Sequence, residues 1–239
     1  MPILEGERVS KYFGGLAAVS RVDFSVERGM IFGLIGPNGA GKTTLFNLIS
    51  ASLVPKTGII RFKGRDITGL TPHKICRLGV ARTFQTVKIF QNMRVLENVV
   101  LGVFFGSPAW VSSARAARDA EEILDVVGLL PARETPARDL TLASQKRLEV
   151  ARALATRPEL LLLDEIMAGL TPMEVAQAME LVNRIRDRGI TIVMIEHVMK
   201  AVMNMCDRLM VLDHGQKIAE GTPQEIAVNK KVIEVYLGE

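Results

Sequence analysis

A glycine-rich segment, Gly36 to Thr43, constrains the fold of this chain more than any other part of the sequence. Its residues, GPNGAGKT, match the phosphate-loop pattern G-x-x-x-x-G-K-[ST]. The apolar run Met30 to Ile35 precedes it, and apolar residues at Leu45, Leu48 and Ile49 follow with helical spacing. The segment therefore predicts a strand, a phosphate-binding loop and a helix in succession, which is typical of an α/β nucleotide-binding fold.

The residue types in this loop suit nucleotide phosphates. Glycines at 36, 39 and 41 let the backbone bend so that its N–H groups converge on phosphate oxygens at a helix N-terminus. Lys42 would neutralise the β- and γ-phosphates, and Thr43 would hold Mg²⁺. A glycine-rich turn with a chance lysine is the alternative, and the loop alone does not separate a transporter ATPase from a kinase or GTPase. The predicted nucleotide contacts are Gly36, Pro37, Asn38, Gly39, Ala40, Gly41, Lys42, Thr43 and Thr44.

A second chemical signal is the pair of acids that ends the segment LLLLDE, Leu160 to Glu165. The apolar run predicts a buried strand, and open α/β sheets bind ligands at the C-terminal edge of such strands. Asp164 is expected to hold Mg²⁺, and Glu165 to orient and deprotonate the water that attacks the γ-phosphate. Solvated turn acids are the alternative interpretation.

Together with the phosphate loop, the pattern of predicted strands and helices along the chain indicates an α/β protein with a P-loop NTPase core. Alternation at Val22, Phe24 and Val26 indicates short antiparallel strands, while strands alternating with helices indicate a mainly parallel sheet. Helical spacing over Ala114 to Val127 predicts an inserted helical subdomain at about 93–148 within a single domain, 1–239. Further predicted elements are strands Gly58–Phe62, Leu160–Leu163 and Ile190–Ile195, extended Val80–Phe84, helix Pro72–Leu78, helices from about Ser144 and Pro172, and a hairpin over Met210–Ala219.

Composition narrows the class of protein. The chain has 239 residues, 48% hydrophobic and 23% charged, which suits a globular core. Its net charge of +4 is spread among acids, so we expect no nucleic-acid partner. The start carries no secretory signal pattern, and no apolar run reaches the roughly 20 residues of a membrane span. We therefore expect a soluble, cytoplasmic chain, with Cys76 and Cys206 as buried thiols.

The motifs in this order resemble those of the ATP-binding-cassette (ABC) family, over essentially the whole chain. Besides GPNGAGKT and LLLLDE, Gln85 in ARTFQ resembles the family's Q-loop glutamine, which contacts Mg²⁺ and the attacking water. His197 in IEHVMK resembles the switch histidine that contacts the γ-phosphate. Phe13 in KYFGG is similar in position to the aromatic that stacks on adenine, with Tyr12 as the second candidate. Taken singly, each of these residues could be structural.

Within that family, the chain is most similar to the larger ATPase subunit of branched-chain amino acid importers. YFGGLAAV, GVARTFQ, IFQNMRVLENVVLG, IEHVMK and the ending VYLGE carry the resemblance. It implies ATP and Mg²⁺ as cofactors, and Glu165, His197 and Gln85 as catalytic residues. It also implies membrane permease subunits and a second ATPase subunit as partners and, indirectly, a periplasmic or extracellular solute-binding protein. The chain itself would lie at the inner face of the cell membrane.

Three alternatives remain at this stage. A lipopolysaccharide-export ATPase shares the loop NGAGKTT and a similar ending, but usually lacks the RTFQ form. A weakly hydrolysing regulatory nucleotide-binding module is suggested by the altered signature described next. A soluble ABC ATPase of translation or DNA repair would usually have tandem cassettes or long coiled-coil insertions, and the sequence has neither.

The sequence departs from the family at the signature LSGGQ, which contacts the partner subunit's ATP. The aligned residues are LTLAS, Leu140 to Ser144. Thr141 keeps a hydroxyl, and Thr141 and Ala143 are the expected nucleotide contacts, but Leu142 and Ala143 put side chains where the family has glycines. Because a Cβ hinders close backbone approach, we hypothesise an asymmetric dimer with one slower site. Smaller departures are Ile166 after the acidic pair and Thr171 in the D-loop.

The apolar stretch Val99 to Trp110 allows two interpretations. It could form part of a surface that docks on the permease, or it could pack in the core.

Overall fold

Two β-sheets organise the chain in the computed structural model, which describes residues 2–107 and 110–237. The first is a four-stranded antiparallel sheet in the order β2-β1-β4-β5. Its strands are β1 Pro2–Phe13, β2 Leu16–Glu27, β4 Thr57–Phe62 and β5 Arg65–Asp66. This sheet is the predicted antiparallel β subdomain.

The strands β1 and β2 are longer than the short strands that the sequence predicts, with 12 residues each. Bulges interrupt their pairing, between Gly6 and Val9 for example, and Arg8 lies there with a left-handed φ of 46°. A bulge shifts the side chains to the opposite face, so the period-2 pattern breaks although the strand continues. The alternation in the sequence therefore reveals only part of each strand.

The second sheet has six strands in the order β10-β9-β3-β8-β7-β6. All neighbours are parallel except β10, which pairs antiparallel with β9 at the edge. The strands β3, β7 and β8 are buried along their whole length, as expected for parallel strands covered on both faces. The strands are β3 Ile31–Ile35, β6 Val80–Arg82, β7 Leu160–Asp164, β8 Thr191–Ile195, β9 Arg208–Asp213 and β10 Gln216–Gly221.

Helices cover the parallel sheet. One apolar core lies on each of its faces: Leu161 and Leu163 of β7 point into one, and Leu160 and Leu162 into the other. The helices are α1 Lys42–Ile49, α2 Pro72–Leu78, α3 Val95–Gly106, α4 Ser113–Val126, α5 Leu142–Leu154, α6 Pro172–Asp187, α7 Met199–Met205, α8 Pro223–Ala227 and α9 Lys230–Leu237. The predicted α/β fold class is confirmed.

The helices α3, α4 and α5, which lie between β6 and β7 in the sequence, pack against one another. The stretch Val99 to Trp110 is buried only in part, and docking of its exposed part on a permease stays a prediction. Val99 and Val103 are buried in the core, whereas Phe105 and Trp110 are 73% and 90% exposed. Residues 108 and 109 of this stretch, like Gly238 and Glu239 of the VYLGE ending, lie outside the described residues.

The two cysteines differ in burial. Cys206 is buried as predicted, but Cys76 is only half-buried, because it faces a groove beside β6. Among the helices of the described residues, none combines the length and apolarity needed to span a bilayer.

Candidate functional site

The predicted phosphate loop connects β3 to α1, and two of its glycines are sterically required. At Gly36 the φ is 146°, and an added Cβ would lie 2.1 Å from the Leu212 carbonyl oxygen. At Gly41 the φ is 101°, and a Cβ would lie 2.2 Å from the Ala18 carbonyl oxygen. Any larger residue would therefore displace the backbone of β9 or β2.

Lys42, at the first turn of α1, lies beneath this loop. Its side chain is nearly buried, and Nζ donates hydrogen bonds to the carbonyl oxygens of Gly36 (2.7 Å) and Pro37 (2.9 Å). Burial lowers the pKa of the amine, while the carboxylates of Glu165 and Asp164 oppose that shift. A buried cation held only by carbonyl oxygens is a strong binding partner for an anion.

Most of the predicted site residues meet in one cleft of about 400 Å³. Phe13, 48% exposed, lies in its wall, as the proposed adenine contact would require. Tyr12, the second candidate, lines a different surface depression. The residues lining the cleft are Phe13, Leu16, Ala17, Ala18, Asn38, Gly39, Ala40, Gly41, Lys42, Thr43, Thr44, Gln85, Glu165, His197 and His214.

The three predicted catalytic residues are in direct contact within this cleft. Glu165 Oε2 accepts a hydrogen bond from Gln85 Nε2 at 3.0 Å, and Glu165 Oε1 lies 3.0 Å from His197 Nε2. Glu165 follows β7 with a left-handed φ of 52°. A carboxylate held between an amide and an imidazole, beside a phosphate loop, can orient a water molecule and accept its proton.

Asp164, one residue earlier, is almost completely buried. One oxygen, Oδ2, accepts a hydrogen bond from Arg82 Nη2 at 2.9 Å. Its other oxygen, Oδ1, is buried and has no hydrogen-bond partner within the described residues. Burial raises the pKa of this carboxyl group, while Arg82 opposes the shift. The end of β7 therefore carries a buried carboxylate oxygen without a hydrogen-bond partner among the described residues.

This donor set fits a magnesium ion. Asp164, Thr43 and Gln85 offer carboxylate, hydroxyl and amide oxygens, the hard ligands that Mg²⁺ takes, usually together with water and substrate phosphates. Residues 2–107 and 110–237 contain no group of three or more His, Cys, Asp and Glu side chains arranged to hold a metal. The fit thus depends on mixed oxygen donors and on the free Oδ1 of Asp164.

The altered signature segment lies away from this cleft. Thr141 is the N-cap of α5, and its hydroxyl accepts a hydrogen bond from the Ser144 backbone N–H at 3.3 Å. The helix begins at Leu142, two residues before the predicted start. Leu142 is 48% exposed and Ala143 is buried, and neither these two nor Thr141 lines the cleft of its own chain.

A glycine turn links the cleft to both sheets. Between β9 and β10, the Gly215 backbone N–H donates to Ala40 O of the phosphate loop at 3.0 Å, and its carbonyl oxygen accepts from Ser20 N of β2 at 2.7 Å. A Cβ at Gly215 would lie 2.7 Å from the Ala17 carbonyl oxygen. The neighbouring His214 lines the cleft, although the sequence pattern predicts only a hairpin here.

A separate groove of about 380 Å³ lies behind Gln85, between α2, β6 and α5. Glu149 of α5 lines it, and the Glu149 Oε1 accepts hydrogen bonds from the backbone N–H groups of Phe84 (3.3 Å) and Lys88 (3.1 Å). Burial raises the pKa of Glu149. Lys88 Nζ lies 4.4 Å from the centre of the Phe84 ring, and the Arg152 guanidinium lies 4.6 Å from that of Phe90. The segment containing Gln85 is thereby tied to α5.

Sequence reasoning missed several charged residues that support the site. These are Arg82, Lys146, Glu149 and Glu196, each buried or half-buried. Glu149 and Glu196 give a weak signal in the sequence, a charge within or beside an apolar run, as in Ile195-Glu196 and Leu148-Glu149-Val150, whereas Lys146 lies among polar residues and gives none.

Comparisons with known proteins agree with this geometry. The family model described as "ABC transporter" matches residues 19–168, and the model described as "Branched-chain amino acid ATP-binding cassette transporter" matches residues 216–239. The high-affinity branched-chain amino acid transport ATP-binding protein BraF of Pseudomonas aeruginosa is 41% identical over 100% of this chain and 98% of its own. LivG of Escherichia coli, with the same description, is 40% identical with the same coverage.

Solved structures are similar over the full length. A nucleotide-free ATP-binding cassette from an ABC transporter superposes with a TM-score of 0.90 at 33% identity, covering 100% of both chains. The ADP conformation of MJ1267, an ATP-binding cassette of an ABC transporter, superposes with a TM-score of 0.91 at 34% identity and the same coverage. The resemblance seen in the motifs therefore extends to the whole fold.

Proposed function

Since this chain belongs to the ABC transporter family and is an ATP-binding-cassette ATPase, we propose that it powers the import of branched-chain amino acids. The observation that carries the hydrolytic part is Glu165, held between Gln85 and His197 in the cleft that contains the phosphate loop. The names of the relatives BraF and LivG support the substrate class. They favour import over lipopolysaccharide export.

In this proposal the phosphate loop and Lys42 bind the triphosphate, and Phe13 stacks on adenine. Lys42 would exchange its two carbonyl partners for phosphate oxygens. Thr43, Gln85 and Asp164 would hold Mg²⁺, which supplies charge neutralisation at the β- and γ-phosphates. Glu165 orients the attacking water and accepts its proton, while His197 contacts the γ-phosphate.

The second nucleotide contact would come from another subunit. Thr141 and Ala143 lie outside the cleft of their own chain, so we infer that they contact ATP held by a second ATPase subunit. The exposed Leu142 side chain would hinder close approach of the backbone to that phosphate. We propose a dimer whose two sites differ in rate, which also explains why a weakly hydrolysing regulatory module is the second candidate function.

We propose that the groove behind Gln85 receives a segment of a membrane permease. Glu149, which lines the groove, is bonded to the backbone on both sides of Gln85, so a ligand in the groove would act on the glutamine. The helical subdomain, at about 93–148, would move with the permease within a single ABC domain. The chain would then lie on the inner face of the cell membrane, with the solute-binding protein on the other side and no nucleic acid involved.

ATP hydrolysis tests the proposed function. The chain would be assayed alone and together with its permease and second ATPase subunit, as wild type, as Glu165→Gln and as Glu122→Gln, an exposed glutamate of α4. We expect activity on assembly, loss of about 10²–10³-fold in kcat for Glu165→Gln with ATP binding retained, and no change for Glu122→Gln.

Two results would contradict it. A wild-type assembly that binds ATP but never hydrolyses it would favour the regulatory module. Hydrolysis that survives Glu165→Gln would remove Glu165 from its proposed role.

A further inference from the structure

Two buried charged residues lie behind the catalytic cleft, outside its lining. Lys146 belongs to α5, and Glu196 follows β8; their side chains are only 8% and 2% exposed. Neither residue has a part in the chemistry proposed above. Burying a charge is unfavourable unless it makes specific bonds, so the bonds of these two residues indicate what they do.

Lys146 forms hydrogen bonds with backbone carbonyl groups of the loop that follows β7. Its Nζ donates to the Glu165 carbonyl oxygen at 2.9 Å and to the Ala168 carbonyl oxygen at 2.6 Å. Both hydrogen bonds carry the charge of the ammonium group, which makes them stronger than neutral ones. Lys146 lies one helical turn after Leu142, so the altered signature and the loop of Glu165 are mechanically joined.

Glu196 holds the same loop from the opposite side. Its Oε1 accepts a hydrogen bond from the Met167 backbone N–H at 2.8 Å, and Glu196 directly precedes His197 in the chain. The other oxygen, Oε2, is buried without a partner in the part of the chain that the structure describes. Glu196 thus connects the loop of Glu165 with His197.

The backbone of Glu165 explains why such a clamp is needed. Its φ of 52° is in the left-handed region, which residues with a Cβ rarely adopt. An unfavourable backbone conformation persists only where the surroundings fix it. Lys146 and Glu196 bond three of the four residues from Glu165 to Ala168, and the Glu165 N–H donates to Ile195 O at 2.9 Å.

We propose that Lys146 and Glu196 are positioning residues that fix the Glu165 carboxylate between Gln85 and His197, and that Lys146 transmits movement of the signature helix to it. The inference rests on the proposed function, because it concerns the hydrolytic step. It also gives α5 a second role. While the N-terminus of this helix serves the other subunit's nucleotide, Lys146 adjusts hydrolysis at the site of its own chain.

The test compares Lys146→Met, which removes the donors, with Lys146→Arg, which restores them, and with Lys56→Met as a charge control in an exposed loop. In the assembled transporter, Lys146→Met should lower kcat by about 10²-fold with the KM for ATP unchanged, since a misplaced base slows chemistry without weakening binding. Lys146→Arg should recover most of the rate, and Lys56→Met should match wild type.

A second measurement does not depend on hydrolysis. Amide hydrogen exchange at Met167 in the isolated full chain should accelerate in Lys146→Met, although Lys146 does not bond that amide. If Lys146→Met does not fold, Glu196→Ala takes its place in the kinetic test, with the same expected split between kcat and KM.

The inference is overturned by an unchanged kcat, by a rise in KM alone, by an arginine variant as slow as the methionine variant, or by unchanged exchange at Met167. Glu165→Gln in the same assembly separates this from failure of the proposed function. If wild type hydrolyses ATP and Glu165→Gln does not, the function stands whatever Lys146→Met does. If wild type never hydrolyses ATP, the exchange measurement still decides the inference.

Discussion

At the scale of single residues, the site contains buried groups whose charge is energetically unfavourable beside groups whose charge serves binding or catalysis. Glu196 is the clearest case. Burial raises its pKa to about 7, although the N–H groups of Met167 and His197 and the charge of Lys146 oppose the shift, and the Glu165 carboxylate adds to it. Between the ordinary pKa of a glutamate and pH 7, the folded chain therefore keeps a proton that the unfolded chain releases.

This imbalance predicts a pH-dependent stability. As pH rises from about 4.5 to 7, Glu196 lowers the free energy of unfolding by about 3 kcal/mol, because the native state binds the extra proton. The Glu196→Gln variant should not lose this free energy. The difference in unfolding free energy, variant minus wild type, should therefore increase from pH 5 to pH 8. Urea unfolding at both pH values measures it, with Glu122→Gln as control. An equal difference at the two pH values would contradict the assignment.

At residue level, the sequence motifs led to side chains that the structure brings together, while the roles predicted for them stay predictions. Gln85, Glu165 and His197 were expected together from the order of their motifs, and their side chains are in contact. Arg82 and Lys146 were not anticipated. Arg82 bonds Asp164 from 82 positions away, and Lys146 lies among polar residues, so neither cation gives a sign of its partner in the sequence.

At the scale of elements, the strands of the parallel sheet were predictable because burial on both faces produces unbroken apolar runs. The strands β1 and β2 were underestimated because bulges interrupt their alternation. The start of α5 was placed two residues late. Thr141 caps the helix through its hydroxyl, so the signature residues Leu142 and Ala143 belong to the first turn.

The first turn of α5 gives a prediction at this scale. Leu142→Gly with Ala143→Gly rebuilds the family signature, and removing both side chains would open the backbone N–H groups to phosphate. We expect the ATPase rate of the assembled transporter to rise, by up to about 10²–10³-fold at the site this segment completes. The rate per dimer under saturating ATP measures it.

Glycine also weakens the helix, by about 1 kcal/mol per residue. Leu142→Ala with the natural Ala143 is the matched control, because it shortens the exposed side chain without that cost. An unchanged ATPase rate in the glycine variant, with its fold intact, would remove the basis for unequal sites.

At the scale of the whole molecule, the groove behind Gln85 lies between the parallel sheet and the helical region, where a partner could influence both. Lys88 and Arg152 line it, and Lys88 lies over the ring of Phe84, which lines it too. A charge in such a groove governs partner choice more than nucleotide binding.

Lys88→Glu should therefore weaken association with the permease by about 10-fold and lower permease-stimulated ATPase activity, while ATP affinity of the isolated chain stays unchanged. Lys74→Glu, on the exposed side of α2, is the control for charge reversal. Co-purification and nucleotide titration are the two measurements. A loss of ATP affinity without loss of association would exclude the groove as the docking site.

The turn at Gly215 affects how the gene tolerates variation. One residue without a side chain bonds both Ala40 of the phosphate loop and Ser20 of the antiparallel sheet, and it lies against the Ala17 carbonyl. A substitution of Gly215 would separate the sheet that supplies Phe13 from the loop predicted to bind phosphate. We therefore expect a single missense allele at Gly215 to inactivate the protein, although this residue lies outside the motifs that carry the family resemblance.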